Sequence, residues 1–158
     1  MTCGSSHRAG PAATLVVALA IVCAGCVPGM TSPARDAGDY REKTSNTAGA
    51  AASAVATVEL LVGAAIRDDA FGPYSSVAVG DAERDLDAVS STFGAILPPG
   101  RASIRFRDEA EPLLDRAASD VADARIAIRR GEPADLPEIR RALRADLAAL
   151  QDLEERTS

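Results

Sequence analysis

Val79, Ala82, Leu86, Val89, Phe93 and Ile96 recur at alternating steps of three and four residues, with Asp81, Glu83, Arg84, Asp85 and Asp87 filling the intervals. In an α-helix this spacing gathers the apolar side chains into one seam and leaves the charges on the opposite face, in water. A half-buried strand needs apolar residues at every second position instead. The same rhythm returns in Phe106, Ala110, Leu113, Ala117, Val121, Ala124 and Ile128, and again in Leu136, Ile139, Leu143, Leu147 and Leu150. An alanine-rich version runs through Ala48, Ala51, Ala52, Val55, Val58, Val62 and Ile66. Alanine has the highest helix propensity, and aromatic residues make up only 3% of the chain, so the usual marks of an all-β domain are missing. The residues point to an all-α domain.

Turn formers divide the seams into four segments. The first helix is expected from Asp39 or Thr44 to Arg67, the second from Pro73 to Leu97, the third from Ala102 to Arg130, and the fourth from Asp135 onward. Asp68–Pro73, Pro98-Pro99-Gly100 and Gly131-Glu132-Pro133 separate them, because proline cannot continue a helix and glycine readily leaves one. Asp108 with Glu111 has the spacing of a capping box, which predicts either a helix start there, with Pro112 in the first turn, or a bend at Pro112. Asp135-Leu136-Pro137-Glu138 has the same signature for the fourth helix. Four amphipathic segments joined by short turns predict an antiparallel up-down four-helix bundle over residues 39–156. The alternative is a three-helix bundle with a frayed first helix.

Ahead of this domain, polar Thr2–Arg8 runs into the apolar stretch Pro11–Ala24. That is the anatomy of a signal peptide, and the run is shorter than the roughly 20 apolar residues that a membrane span requires. An uncleaved membrane anchor and a plainly secreted protein are the competing readings. The small pair Ala18 and Ala20 that secretion would need at its cleavage site lies in the middle of the apolar run.

At the end of the run stands Val22-Cys23-Ala24-Gly25-Cys26, which resembles the lipobox of bacterial lipoprotein precursors, with Cys23 where the family usually has an aliphatic residue. The resemblance covers the targeting segment alone. It implies cleavage after Gly25, a signal peptide over residues 1–25, lipid attachment at Cys26, and a location at the outer face of the cell membrane. Two acyl chains, at about 0.8 kcal/mol per buried methylene, hold a protein on a bilayer without a spanning helix. Val27–Gly38, with turn formers and no periodicity, reads as the remainder of a flexible tether over residues 26–38.

Cleavage would change the chemistry available. Cys3, Cys23 and His7 would leave with the signal peptide and Cys26 would be acylated, so the mature chain would offer no free thiol and no imidazole. Di-iron bundles draw on Glu-x-x-His pairs and c-type haem on Cys-x-x-Cys-His, and the sequence contains neither. No cofactor is expected. Lys43 is the only lysine, so general acid–base catalysis at neutral pH has few candidates. Loss of Arg8 leaves 16 basic against 23 acidic residues, a charge of −7, which is the wrong sign for a nucleic-acid binder.

Three constellations remain. Asp81 with Asp85, and Asp115 with Asp120 and Asp123, could hold a hard cation, but they lie beside arginines, follow no calcium-loop spacing and read as solvated helix faces. Arg125, Arg129 and Arg130 precede the third turn and Arg140, Arg141 and Arg144 follow it, so a helical hairpin could present them as an anion-binding cluster. Neutralisation by Glu132, Asp135, Glu138 and Asp146 is the competing expectation. Phe71-Gly72-Pro73-Tyr74 is expected to cap the apolar end of the bundle rather than form an exposed recognition tip. Together these features predict a non-enzymatic, lipid-anchored module that scaffolds or binds an unknown protein partner. A carrier or sensor holding a small apolar or anionic ligand between its helices is the alternative.

Overall fold

The computed structural model describes residues 33–69 and 72–158. Among them are four helices and no strand: α1 (Ala37–Ile66), α2 (Gly72–Gly94), α3 (Arg101–Arg130) and α4 (Leu136–Thr157). This is the all-α four-helix bundle that the seams predict. The first helix is fully formed rather than frayed. The expected signal peptide, Cys26 and the expected tether as far as Thr31-Ser32 lie outside the described residues.

α1 is the centre of the fold. It packs against each of the other three helices, α3 also touches all its neighbours, and α2 and α4 do not meet. The cross-section is therefore a rhombus with α1 and α3 across its short diagonal. Small side chains make that approach possible: Ala48, Ala51, Ala52, Val55, Val58 and Val62 are buried along α1. By length and composition α1 is the one described helix apolar enough to cross a membrane. Its apolarity comes largely from alanine, and its seam is spent on the other helices.

Phe93 and Tyr40 brace one end of the core with ring centroids 5.7 Å apart. Leu86, Leu114, Val121, Leu143, Leu150 and Leu153 fill the rest. Tyr40, Leu114 and Leu153 extend the expected seams, whereas Leu113 is only half-buried and Ile66 is exposed. Ile66 is the last residue of α1.

The helix ends correct several expectations. α1 begins at Ala37, inside the expected tether, because the Asp36 carboxylate accepts a bond from the Asp39 amide at 2.9 Å and caps the helix. α3 runs unbroken from Arg101 through Pro112, so Asp108 and Glu111 form no capping box. Proline removes the donor for the Asp108 carbonyl, and both residues are exposed, which lets water replace the bond. The second expected box is also absent. Asp135 is helical (φ −88°, ψ −20°) and its side chain makes no cap bond, while its carbonyl accepts from the Glu138 and Ile139 amides.

α1 and α3 both close with paired Schellman bonds. Gly131 takes the left-handed position after α3 (φ 65°), with the Glu132 amide donating to the Ala127 carbonyl at 3.1 Å. After α1 the same position falls to Asp68 (φ 58°), with the Asp69 amide donating to the Ala64 carbonyl at 3.0 Å.

Candidate functional site

The six arginines of the expected cluster are divided among different neighbours. Arg140 and Arg144, one turn apart on α4, both point at Glu59 of α1, with Nε atoms 2.7 Å and 2.8 Å from the same Oε1. Arg125 forms an ion pair with Glu83 of α2 at 2.6 Å, and Arg130 lies 3.9 Å from Glu132. Arg129 and Arg141 are exposed. Of the expected neutralising acids, Glu132 takes this role for one of the six, and the others named do not form ion pairs with them.

Glu59 is the principal partner that sequence reasoning missed. Its side chain is almost entirely buried, and burial alone would raise its pKa, but the two guanidinium groups more than offset this and hold the carboxyl below its ordinary range. Gly63 completes the arrangement: a Cβ there would stand 2.8 Å from the Arg140 guanidinium, so glycine gives the arginine its path to Glu59. A signal existed in the sequence. Between Lys43 and Arg67, Glu59 is the only charged residue, set in an apolar run.

The acidic constellations are also redistributed. Asp81 pairs with Arg84 on α2. Asp120 meets Asp146 of α4, whose side chain is only 1% exposed. Arg116 donates to Oδ1 of Asp146, while Oδ2 is buried without a hydrogen-bond partner. Asp120 can satisfy that oxygen only when it carries a proton. Partial burial first, and the facing Asp146 second, push the Asp120 pKa up to about 6, with Asp123 adding to the shift and Arg116 opposing it.

Beside this pair lies an open groove of about 280 Å³ lined by Asp120, Asp123, Asp135, Glu138, Ile139 and Ala142. Its four carboxyl groups repel anions. Among the described residues, no group of three or more His, Cys, Asp or Glu side chains is placed to hold a metal ion. The charge of Asp146 is met by Arg116, so the pair differs from two unpartnered buried carboxylates poised to share acid and base roles.

Apolar exposure is concentrated toward the two ends of the bundle. Leu60, in the last two turns of α1, and Tyr74 and Val77, at the start of α2, are 68%, 70% and 64% exposed. Tyr74 thus projects into water rather than capping the core, whereas Phe71 lies outside the described residues. At the opposite end, Leu97 is 78% exposed and Ile104 44%. Beside Leu97 is an open groove of about 420 Å³ lined by Pro33, Ser91, Thr92, Ala95, Ile96 and Leu97. No family model, curated protein or solved structure matches the chain.

Proposed function

We propose that this chain is a non-catalytic lipoprotein of the bacterial cell envelope, anchored through Cys26 at the outer face of the cell membrane, whose helical bundle docks a partner protein. The observation carrying the docking role is the exposure of Leu60, Tyr74 and Val77 at the end of the bundle remote from Pro33. Large apolar side chains grouped toward one end of a small domain favour contact with another protein. α1 has 30 residues, so that end stands about 45 Å along the bundle from the end nearest the anchor. The tether supports this reading, since it joins lipid to the opposite end. The described grooves are open at the surface, which favours a docking module over a carrier with an enclosed ligand chamber.

The test places a photocrosslinking amino acid at Val77 or Leu60 in intact cells, with Asp87 as the control position. Val77 and Leu60 are expected to yield the same discrete adduct and Asp87 none. Equal labelling at all three positions would defeat the docking role. The anchor is tested separately by the mass of the mature N-terminus, expected to begin at acylated Cys26, and by Cys26→Ser, expected to release the protein from the membrane fraction.

A further inference from the structure

The α2–α3 turn combines three features that the docking role leaves unused. Leu97 and Ile104 are exposed at this end of the bundle. Arg101 and Arg105 are exposed as well, and neither has an ion-pair partner among the described residues. Arg101, Ile104 and Arg105 stand at i, i+3 and i+4 on α3, and so share one face. From Ala95 to Arg105 these two arginines are the only charged residues, a local charge of +2 in a chain whose net charge is −6.

The start of the chain fixes what this turn can reach. Pro33 lines the groove that Ile96 and Leu97 also line. Six residues separate Cys26 from Pro33, so even fully extended the backbone spans at most about 25 Å. A lipid on Cys26 therefore keeps this end of the bundle within reach of the headgroups.

We propose that the α2–α3 turn is a second membrane contact, in which Leu97 and Ile104 enter the boundary between headgroups and acyl chains and Arg101 and Arg105 pair with the phosphates of anionic lipids. Apolar side chains flanked by unpaired guanidinium groups suit that interface, because each kind finds its own layer. The proposal rests on the anchor at Cys26, and it gives the anchor an orientation: two attachment points hold the bundle upright and keep Leu60, Tyr74 and Val77 available to a partner.

The mature chain would contain no free thiol, so Leu97→Cys and Val77→Cys each introduce a single site for an environment-sensitive fluorophore. The full chain, matured in cells, is purified and reconstituted into phosphatidylcholine vesicles with or without phosphatidylglycerol, and doxyl-labelled lipid serves as quencher. The label at residue 97 is expected to shift to the blue on phosphatidylglycerol vesicles and to be quenched at least about twofold more than the label at residue 77. Arg101→Glu with Arg105→Glu, added to Leu97→Cys, is expected to abolish the difference, as is high salt. A chain that floats with the vesicles but whose label at 97 is no more quenched than at 77 would overturn this contact and leave the anchor standing. Quenching undiminished by the two glutamates would overturn it equally. A chain that fails to float would overturn the anchor and this proposal together.

Discussion

Asp120 of α3 faces Asp146 of α4, and the two carboxyl groups share a hydrogen bond only while one of them holds a proton. Asp146 is the constrained partner, because it is buried and held by Arg116. Asp120 borders the open groove and is the group free to exchange its proton with water. The interface between α3 and α4 therefore contains a contact that depends on pH.

The sign of that dependence is opposite to the usual behaviour of a carboxylate in an ion pair. A carboxyl raised from 3.8 to about 6 by folding binds its proton more tightly in the native state, so its contribution to stability is complete below about pH 4 and is lost as the pH rises through 6. Glu59 opposes this at the acid end, since its lowered pKa makes its contribution disappear below the ordinary carboxylate range. The protein is expected to be more stable at pH 5 than at pH 7.5 by about 1 kcal/mol, after allowance for solvent screening at the half-open site, and so to melt at a higher temperature. Asp120→Asn should stabilise the protein at pH 7.5 and flatten the profile between pH 5 and 7.5. An unchanged profile in the variant would place the titration elsewhere.

Glu59 should be the most sensitive charged residue in the bundle. Glu59→Ala leaves two guanidinium groups facing each other without their shared carboxylate, and a loss of about 3 kcal/mol is expected. Arg140 is 25% exposed and Arg144 60%, so Arg140→Ala should cost more than Arg144→Ala, whose effect should be under about 1 kcal/mol. Urea denaturation of the three variants gives the ranking, and an Arg144→Ala as damaging as Glu59→Ala would contradict this account.

These two polar contacts also mark how far the sequence was legible. The period of the apolar residues was enough for four helices and their seams, because each seam is read within one segment. Asp146 could also have been noticed, since Leu143, Asp146, Leu150 and Leu153 continue the seam of α4 at steps of three, four and three. Its partner could not, because the meeting of Asp120 and Asp146 depends on the register of two helices. Arg140 and Glu59 are 81 residues apart, and the nearer acids in sequence offered a false solution. The capping boxes misled for another reason: the spacing of Asp135 and Glu138 is correct, but a cap needs extended backbone at its first residue, and Asp135 is helical. Exposure of Leu97 and Val77 was hidden in the same way, since apolar residues outside a seam carry no mark of whether a neighbouring helix covers them.

Pro112 offers a test of the unbroken α3. The proline is exposed in the interior of the helix, and its missing amide leaves the Asp108 carbonyl to water. Pro112→Ala restores that bond and a residue of high helix propensity, so a gain of about 1–2 kcal/mol is expected, below the full cost of an interior proline because the native helix has already adapted. A loss of stability in thermal denaturation would mean that the proline shapes a bend on which the packing of α3 depends.

Asp68 occupies the position after α1 that Gly131 occupies after α3, with nearly the same φ, 58° against 65°. An L side chain in the left-handed region crowds its own backbone, whereas glycine does not, and aspartate tolerates the strain better than most residues. Both ends use the same pair of bonds back into the helix, so the backbone at 68 is already shaped for glycine. Asp68→Gly is expected to raise stability by about 0.5–1 kcal/mol, net of the greater freedom of glycine in the unfolded chain. Asp68→Val should lower it, because a β-branched side chain has no low-energy rotamer there. Both changes are measured by urea denaturation. If valine proved as stable as glycine, the left-handed turn at the end of α1 would not exist in solution.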